Sequence, residues 1–164
     1  MKRISKKIAI LGSHAVGKTS LISRFVEKKF PEKYLTTIGL KVDKKTVEIE
    51  DHIIDMVIWD IAGQEDMSKI PPYYLNGCSG YIFVVDVSRP ATYEQLGTQI
   101  PMLKSMLPNA AYVIAANKMD LMSEEELTTL LASFSEPADM ATSAKTGNQV
   151  DELFLRLGAK MLES

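Results

Sequence analysis

Cysteine is almost absent from this sequence, since Cys78 is the only one in 164 residues. A single cysteine excludes a disulfide within the chain and fits a reducing compartment. We expect Cys78 to pack as a small buried apolar side chain. A long hydrophobic run is also lacking, because the apolar stretch from Ile8 to Leu11 is too short for a signal-peptide core or a membrane span. These absences predict a cytoplasmic protein.

An excess of one charge is lacking as well. The formal net charge is −2 and the sequence pI is near 5.7. Nucleic-acid-binding domains usually carry a clustered basic surface, so we expect no nucleic-acid partner. Position 2 is not glycine and the last residues contain no cysteine, so no lipidation site is visible in the chain.

The pattern that is present predicts an α/β fold. With 46% apolar and 24% charged residues, the chain has the balance of one compact domain over residues 1–164. Short β-branched runs alternate with segments of helical period, which predicts a doubly wound, mostly parallel sheet. Only the polar break 50–52 separates the second and third strands, so these two should form an antiparallel hairpin at the sheet edge. The six predicted strands are Lys7–Leu11, Leu40–Ile49, Ile53–Asp60, Gly80–Asp86, Tyr112–Asn117 and Ala138–Thr142. The best-defined predicted helices are Lys18–Glu27, Tyr93–Met106, Glu124–Phe134, with a capping box from Ser123 to Glu126, and Val150–Leu162.

One segment after the first predicted strand fits the pattern GxxxxGK[ST] of phosphate-binding loops. It lies between a strand and a helix, as the mechanism requires. Its glycines let backbone N–H groups point inward at phosphate oxygens, and the helix N-terminus adds the positive end of its dipole. Lys18 should reach the β- and γ-phosphates, and the Thr19 hydroxyl should ligate Mg²⁺. The alternative is an ordinary glycine-containing turn with a surface lysine. The residues of this segment, called the phosphate loop below, are Gly12, Ser13, His14, Ala15, Val16, Gly17, Lys18 and Thr19.

A second phosphate-end element follows the third predicted strand. Asp60 lies at the strand end and is a candidate partner for Mg²⁺, directly or through water. The N–H of Gly63 can approach a γ-phosphate because glycine has no Cβ. Gln64 could orient an attacking water, since phosphoryl transfer depends mainly on positioning. A strand-end aspartate is otherwise a common turn former.

Two later segments of the sequence predict that the bound nucleotide carries guanine. Asp120 can accept hydrogen bonds from N1–H and N2–H₂ of guanine, a donor pair that adenine lacks, and Asn117 can bond an acceptor such as N7. A carboxylate facing adenine would be left unpaired, so discrimination should be strong. After a further strand, the backbone N–H of Ala144, between Ser143 and Lys145, could bond guanine O6. On its own, the first of these segments would be interpreted as a helix-entry turn.

Together these motifs resemble the Ras superfamily of small GTPases over essentially the whole chain, and the Rab branch most closely. The resemblance implies a P-loop NTPase fold, a small G domain. It also implies that Phe30 packs on the guanine, that Ser20 joins the phosphate loop in binding nucleotide, and that Lys118 and Lys145 line base and sugar. Thr37 would contact Mg²⁺ and the γ-phosphate as part of the first switch loop, residues 30–39. The implied metal ligands are Thr19, Thr37 and Asp60, and the implied catalytic residues are Gln64, Lys18 and Thr37.

The chain departs from the family pattern at two positions. His14 stands where a small residue is usual, next to the catalytic glutamine. Its bulk predicts slow intrinsic hydrolysis with binding preserved, unless the side chain points to solvent and does little. Val42 replaces an aromatic residue that usually lies beside Trp59, which leaves the effector class open. None of the arginines lies in the first switch loop, so we expect an activating protein to supply one; they are Arg3, Arg24, Arg89 and Arg156.

The expected function is a molecular switch that binds GTP and GDP with Mg²⁺ and hydrolyses GTP slowly. Effectors, activating proteins and exchange factors should bind its switch loops. The candidate effector patch consists of Ile38, Leu40, Trp59 and Tyr73, although Trp59 could equally belong to the hairpin core. Three alternatives remain at this point: a small-molecule kinase, for which no lid segment is visible; a hydrolysis-deficient GTP-binding module; and the GTPase domain of a larger protein.

Overall fold

The computed structural model describes residues 1–30 and 39–163. Within them lies a six-stranded sheet of order β2-β3-β1-β4-β5-β6. Every neighbouring pair is parallel except β2 and β3, which form the antiparallel edge hairpin that the polar break predicts. The mostly parallel α/β sheet is therefore confirmed. The strands are β1 (Lys2–Gly12), β2 (Leu40–Ile49), β3 (His52–Ile61), β4 (Cys78–Asp86), β5 (Ala111–Asn117) and β6 (Met140–Ala141).

β2 has its predicted bounds, and β3, β4 and β5 are one or two residues longer than predicted. The other two strands differ more. β1 begins at Lys2 rather than Lys7, because its mostly polar first half continues the backbone pairing with β3. Arg3 stabilises this extension through hydrogen bonds of 2.8 and 2.9 Å to the carboxylate of Asp55 on β3. β6 keeps only two residues of the predicted 138–142 segment, since it pairs with β5 only at Ala115 and Ala116.

In the described parts of the chain, four α-helices connect strands and a fifth follows the last strand; none of them is long and apolar enough to cross a membrane. α3 begins later than predicted because a 3₁₀ turn, Pro90–Thr92, forms first. α4 has the predicted capping box at Ser123 and Glu126 but ends at Ala132, before Phe134. α2 is a single turn and too short for a periodic pattern to predict. The helices are α1 (Lys18–Glu27), α2 (Pro72–Leu75), α3 (Leu96–Met106), α4 (Glu124–Ala132) and α5 (Val150–Glu163).

The core lies on both faces of the sheet. Successive strand side chains point to opposite faces, so Ile8 and Ile10 of β1 join the cluster that contains helices α1 and α5, whereas Ala9 and Leu11 join the cluster that contains α3. The rings of Phe25 and Phe154 stack with centroids 4.0 Å apart, which fixes α1 against α5. With both faces covered, the parallel strands deliver their carboxyl ends to one edge of the molecule, where ligands bind in such sheets.

Cys78 is only half-buried, at the start of β4, and not fully buried as expected. Burial still raises the pKa of its thiol to about 11, so the thiol stays protonated at neutral pH.

Candidate functional site

A cavity of about 270 Å³ lies at the carboxyl edge of the sheet. It is lined by phosphate-loop residues, by the second phosphate-end element and by both predicted base segments, so segments far apart in sequence meet at one place. Leu121 also lines it and is 59% exposed, although no sequence signal identified it. The predicted residues in the lining are His14, Ala15, Gly17, Lys18, Thr19, Ser20, Phe30, Gly63, Asn117, Lys118, Asp120, Ala144 and Lys145.

The phosphate loop requires glycine where its backbone is left-handed and crowded. Gly12 has φ +148° and a Cβ there would lie 2.4 Å from the carbonyl oxygen of Val84. Gly17 has φ +105° and its Cβ would lie 2.3 Å from Nδ2 of Asn117. L-residues rarely adopt these conformations, and both positions lack the space for a side chain. The glycines of the sequence pattern thus have a steric reason.

In the phosphate loop, the carbonyl oxygens of residues 12–17 all accept hydrogen bonds from other groups of the protein. In a planar trans peptide the C=O and N–H point in opposite directions, so a C=O held by the protein turns the next N–H the other way. The loop is therefore preorganised as a row of inward N–H donors, which is an anion site. The carbonyl partners are the Lys18 ammonium for Gly12 (3.2 Å) and Ser13 (2.8 Å), Arg89 for His14 (2.9 Å), Lys118 for Ala15 (3.0 Å), Asn117 for Val16 (3.0 Å) and the N–H of Leu21 for Gly17 (2.9 Å).

Lys18 lies at the centre of this loop with 5% of its surface exposed. Burial lowers the pKa of its ammonium to about 8, although the nearby carboxylates of Asp60 and Glu65 raise it. The neighbouring guanidinium of Arg89 lowers it further. A buried ammonium in a ring of N–H donors favours a bound anion, which would raise the pKa of the ammonium again.

The two described candidate metal ligands lie next to each other. The hydroxyl of Thr19 donates to Oδ2 of Asp60 at 2.6 Å, and Asp60 is 1% exposed at the end of β3. Mg²⁺ prefers hard oxygen ligands, keeps several waters, and is typically bound through one or two carboxylates together with substrate phosphates. Residues 1–30 and 39–163 contain no group of three or more His, Cys, Asp or Glu side chains arranged for a metal. The Thr19 hydroxyl and the Asp60 carboxylate, beside a phosphate loop, fit a Mg²⁺ ion whose other ligands are waters and phosphate oxygens. The third candidate, Thr37, lies outside the described residues.

The second phosphate-end element lies directly against the phosphate loop. A Cβ on Gly63 would come within 2.4 Å of the Cα of His14, so only glycine allows this approach. The N–H of Gln64 donates to the Gly12 carbonyl at 3.1 Å, and the hydroxyl of Ser13 donates to Glu65 at 3.1 Å. The His14 side chain is exposed and lines the cavity, which leaves both interpretations of this residue open.

Hydrogen bonds hold the first base segment rigid. Asn117 is 1% exposed; its Oδ1 accepts from Thr142 at 3.0 Å and its Nδ2 donates to Val16. An amide nitrogen carries two N–H donors, so this brace is compatible with a further bond to guanine N7. Lys118 is left-handed, with φ +68°, and donates to both Ala15 and the buried carboxylate of Asp86.

The second base segment supports the first one. The hydroxyl of Ser143 donates to Oδ1 of Asp120 at 2.7 Å and so orients the carboxylate predicted to bind guanine. Arg24 of α1 donates to the carbonyls of Ala144 (2.8 Å) and Lys145 and holds this segment against the phosphate-loop helix. Phe30 lies in the cavity wall and is 42% exposed.

Several residues that hold the site were not predicted from the sequence. Arg24, Asp86 and Arg89 touch the loops through backbone carbonyls or through Lys118, and no local pattern announces such contacts. The one available signal was position, because Asp86 ends β4, next to the strand that carries the phosphate loop.

Of the candidate effector patch, Ile38 lies outside the described residues. Leu40 and Trp59 are half-buried, and Tyr73 is 63% exposed. Trp59 packs against the α3-side cluster and carries the Lys7 ammonium 3.5 Å from its ring centroid. It is therefore partly hairpin core and partly surface.

Comparison with known proteins gives a consistent result. Residues 7–163 match the model of the Ras family. The chain is 34% identical to the Ras-related protein Rab-4 of Dictyostelium discoideum, over 92% of this chain and 76% of that protein. It is 34% identical to human Ras-related protein Rab-21, over 98% of this chain and 73% of that protein, and 33% identical to RABF2b of Arabidopsis thaliana, over 98% and 82%.

Proposed function

Because the chain belongs to the Ras family and its relatives above are Rab proteins, it is a small GTPase that switches between GTP-bound and GDP-bound forms, and we propose a role for each group of its site. Ras-family GTPases bind guanine nucleotide, usually with Mg²⁺, hydrolyse GTP, and interact with regulators and effectors. The observation that carries the proposal is the row of protein-held carbonyls in the phosphate loop, which turns the loop N–H groups toward one cavity.

At the phosphate end, the N–H groups of residues 12–19 bind phosphate oxygens, with the N-terminus of α1 adding its dipole. Lys18 neutralises the β- and γ-phosphates. Its burial supports this role, since a desolvated ammonium gains more from an anion than an exposed one does. Ser20 follows in the first turn of α1, in the cavity lining.

The proposed magnesium ligands are Thr19, Thr37 and Asp60. Asp60 acts directly or through a coordinated water, and the 2.6 Å contact between Thr19 and Asp60 supports a shared position. When bound, Mg²⁺ supplies charge neutralisation on the phosphate oxygens.

The proposed catalytic residues are Gln64, Lys18 and Thr37. Gln64 orients the attacking water, while Lys18 and the N–H of Gly63 stabilise charge on the transferred phosphoryl group. No arginine lies in residues 30–39, so the isolated protein hydrolyses GTP slowly and a separate activating protein accelerates it. His14 slows the intrinsic reaction further by crowding Gln64. In an extreme form of this effect the chain would be a hydrolysis-deficient GTP-binding module.

At the base end, Asp120 accepts hydrogen bonds from N1–H and N2–H₂ of guanine, and Asn117 donates to N7. The N–H of Ala144 bonds O6, and Ser143 orients Asp120. Phe30, Lys118 and Lys145 cover the faces and edges of the base and sugar. Adenine would leave the carboxylate of Asp120 without the two donors that guanine supplies, which excludes ATP.

We place a single GTP-binding domain over residues 1–164, in the cytoplasm, either as the whole protein or as the GTPase domain of a larger one. Effectors, activating proteins and exchange factors bind the segments whose positions depend on the γ-phosphate, around Thr37 and around Gly63. The contact of Gly63 with the phosphate loop supports this coupling, since a γ-phosphate in the cavity has to meet that segment.

The proposal is tested by binding of fluorescent mant-GDP in the presence of Mg²⁺, with unlabelled GTP or ATP as competitor. We expect GTP to displace the probe and ATP to fail at a 1,000-fold excess, in line with roughly 10⁴-fold selectivity of buried polar recognition. Displacement by ATP would overturn the role of Asp120. Absence of mant-GDP binding would overturn the assignment of the cavity.

A further inference from the structure

One partner of the phosphate loop belongs to none of the nucleotide motifs. Nη1 of Arg89, 75 positions from His14 in the sequence, donates to the His14 carbonyl at 2.9 Å. We propose that Arg89 is a positioning residue for nucleotide binding: it fixes the peptide between His14 and Ala15 so that the Ala15 N–H faces the bound phosphates. Asp86 holds Arg89 for this task. The inference rests on the proposed use of the phosphate loop.

The geometry of the peptide supplies the mechanism. The carbonyl of His14 and the N–H of Ala15 belong to one rigid plane and point in opposite directions. When Arg89 holds the carbonyl on the outside of the loop, the N–H has to point inside. Ala15 also has φ +62°, a left-handed conformation that L-residues rarely adopt. A loop with such a residue needs external contacts to stay in one conformation.

Asp86 connects this contact to the base end of the site. Its carboxylate is fully buried and lies 2.9 Å from the Lys118 ammonium and 3.8 Å from the Arg89 guanidinium. These two cations donate to the successive carbonyls of His14 and Ala15. Burial opposes ionisation, but the hydrogen bonds from Ser88 and Lys118 hold the pKa of Asp86 below its usual range. The buried carboxylate of Asp86 thus holds the Arg89 and Lys118 side chains in place against two adjacent peptide groups of the phosphate loop.

The turn that carries Arg89 is itself fixed. The N–H of Arg89 donates to the Asp86 carbonyl at 3.0 Å, and the N–H of Asp86 donates to the buried hydroxyl of Thr92 at 2.9 Å. Arg89 is 42% exposed, so a simple surface ion pair is the competing explanation. Such a pair would have almost no effect on nucleotide binding. A measurement of nucleotide release therefore separates the two explanations.

The experiment measures mant-GDP dissociation from the full chain with Mg²⁺. We expect Arg89→Ala to accelerate release about 5- to 20-fold, as expected for loss of a charged hydrogen bond. Arg89→Lys should recover part of this, because lysine keeps the charge but lacks the planar fork. Arg156→Ala is the matched control, since Arg156 also donates to a backbone carbonyl, that of Asp139 at 2.8 Å, away from the cavity.

A second readout separates positioning from general weakening of the fold. GMP has a shorter phosphate chain and uses fewer loop N–H groups, so Arg89→Ala should weaken GDP binding several-fold more than GMP binding. The same loss should appear in a His14→Gly background, because Arg89 contacts the backbone and not the side chain.

The outcomes are distinct. Release from Arg89→Ala within twofold of the parent, or equal losses for GDP and GMP, would overturn the role of Arg89 and leave the GTPase site intact. A parent chain that binds no mant-GDP would overturn the proposed function and this inference with it.

Discussion

The hydroxyl of Thr19 donates a 2.6 Å hydrogen bond to the carboxylate of Asp60, and so joins the first turn of α1 to the end of β3. The two residues are 41 positions apart in the sequence. Thr19 follows β1 and Asp60 lies at the end of β3; these two strands are parallel, and the carboxyl ends of parallel strands lie together. Their contact brings the phosphate loop and the second phosphate-end element to one point, where the proposed Mg²⁺ position lies.

The first prediction concerns this position. Removal of Mg²⁺ with EDTA should accelerate mant-GDP release from the parent at least tenfold, because the ion links protein oxygens to phosphate. Thr19→Ala should release mant-GDP rapidly with or without EDTA. Thr128→Ala is the control, since Thr128 is exposed on α4 and bonds only its own helix, at Glu124. An EDTA effect of parental size in Thr19→Ala would show that this hydroxyl is not a ligand.

The second prediction uses the ionisation of Lys18, whose pKa burial lowers to about 8. Below pH 8 the free protein carries a charged Lys18 ready for phosphate, and above it the charge has to be restored on binding. Affinity for GDP should therefore fall about fourfold from pH 7.0 to pH 8.5. The measurement is the Kd for mant-GDP across this range. Lys18→Arg should bind more weakly but show no pH dependence; a flat profile in the parent would contradict the prediction.

The lowered pKa of Lys18 also determines how the stability of the folded protein changes with pH. Because the pKa of Lys18 in the folded protein is lower than its ordinary value of 10.5, the unfolded chain binds more protons between about pH 8 and 10.5. The nucleotide-free protein should therefore become more stable as pH rises from 8 to 9. Above pH 9 the raised pKa of Cys78 acts in the opposite direction, so the comparison with Lys18→Met is made below that pH.

The third prediction concerns the base. Asp120→Ala should weaken mant-GDP binding at least 100-fold, because guanine loses the acceptor for its two donors. Ser143→Ala should have a smaller effect, roughly three- to tenfold, since it leaves the Asp120 carboxylate in place and removes the hydrogen bond that orients it, together with the one that the hydroxyl accepts from the N–H of Thr146. Asp151→Ala is the control, because Asp151 is exposed and pairs only with Lys28 on the surface. Equal affinities for Asp120→Ala and the control would disprove the role in base recognition.

The fourth prediction addresses His14. If its bulk obstructs Gln64, then His14→Gly should hydrolyse bound GTP at least threefold faster, with unchanged affinity for GDP. The measurement is single-turnover phosphate release, and His52→Asn, at the other histidine of the chain, is the control. Identical turnover in His14→Gly and the parent would support the alternative, in which the exposed side chain points to solvent.

The sequence predicted what local chemistry encodes. The glycines of the phosphate loop, Lys18 and the polar residues at the strand ends belong to short motifs whose members are a few positions apart, so their pattern is visible in one dimension. The hairpin was predicted for the same reason, because only a short polar break separates its strands; in the structure this break is residues 50–51, since His52 already pairs with Ile49. The capping box at Ser123 is another local signal.

The features that the sequence did not predict depend on contacts between segments that are far apart in the chain. β1 extends to Lys2 because backbone pairing with β3 continues beyond the apolar stretch, and hydrophobic patterns do not report such pairing. Arg89 and Arg24 reach carbonyls 75 and 120 positions away, and carbonyls are present at every residue, so no motif marks the acceptor. The surroundings of the site were therefore found only in three dimensions.

The most direct test of the account is single-turnover release of phosphate from GTP-loaded protein with Mg²⁺, in the parent and in Gln64→Leu. The account predicts slow but stoichiometric release by the parent and a rate at least tenfold lower in Gln64→Leu, because the attacking water loses its orientation. Gln95→Leu, an exposed position before α3, should match the parent. No release by the parent, or equal rates in parent and Gln64→Leu, would contradict the account.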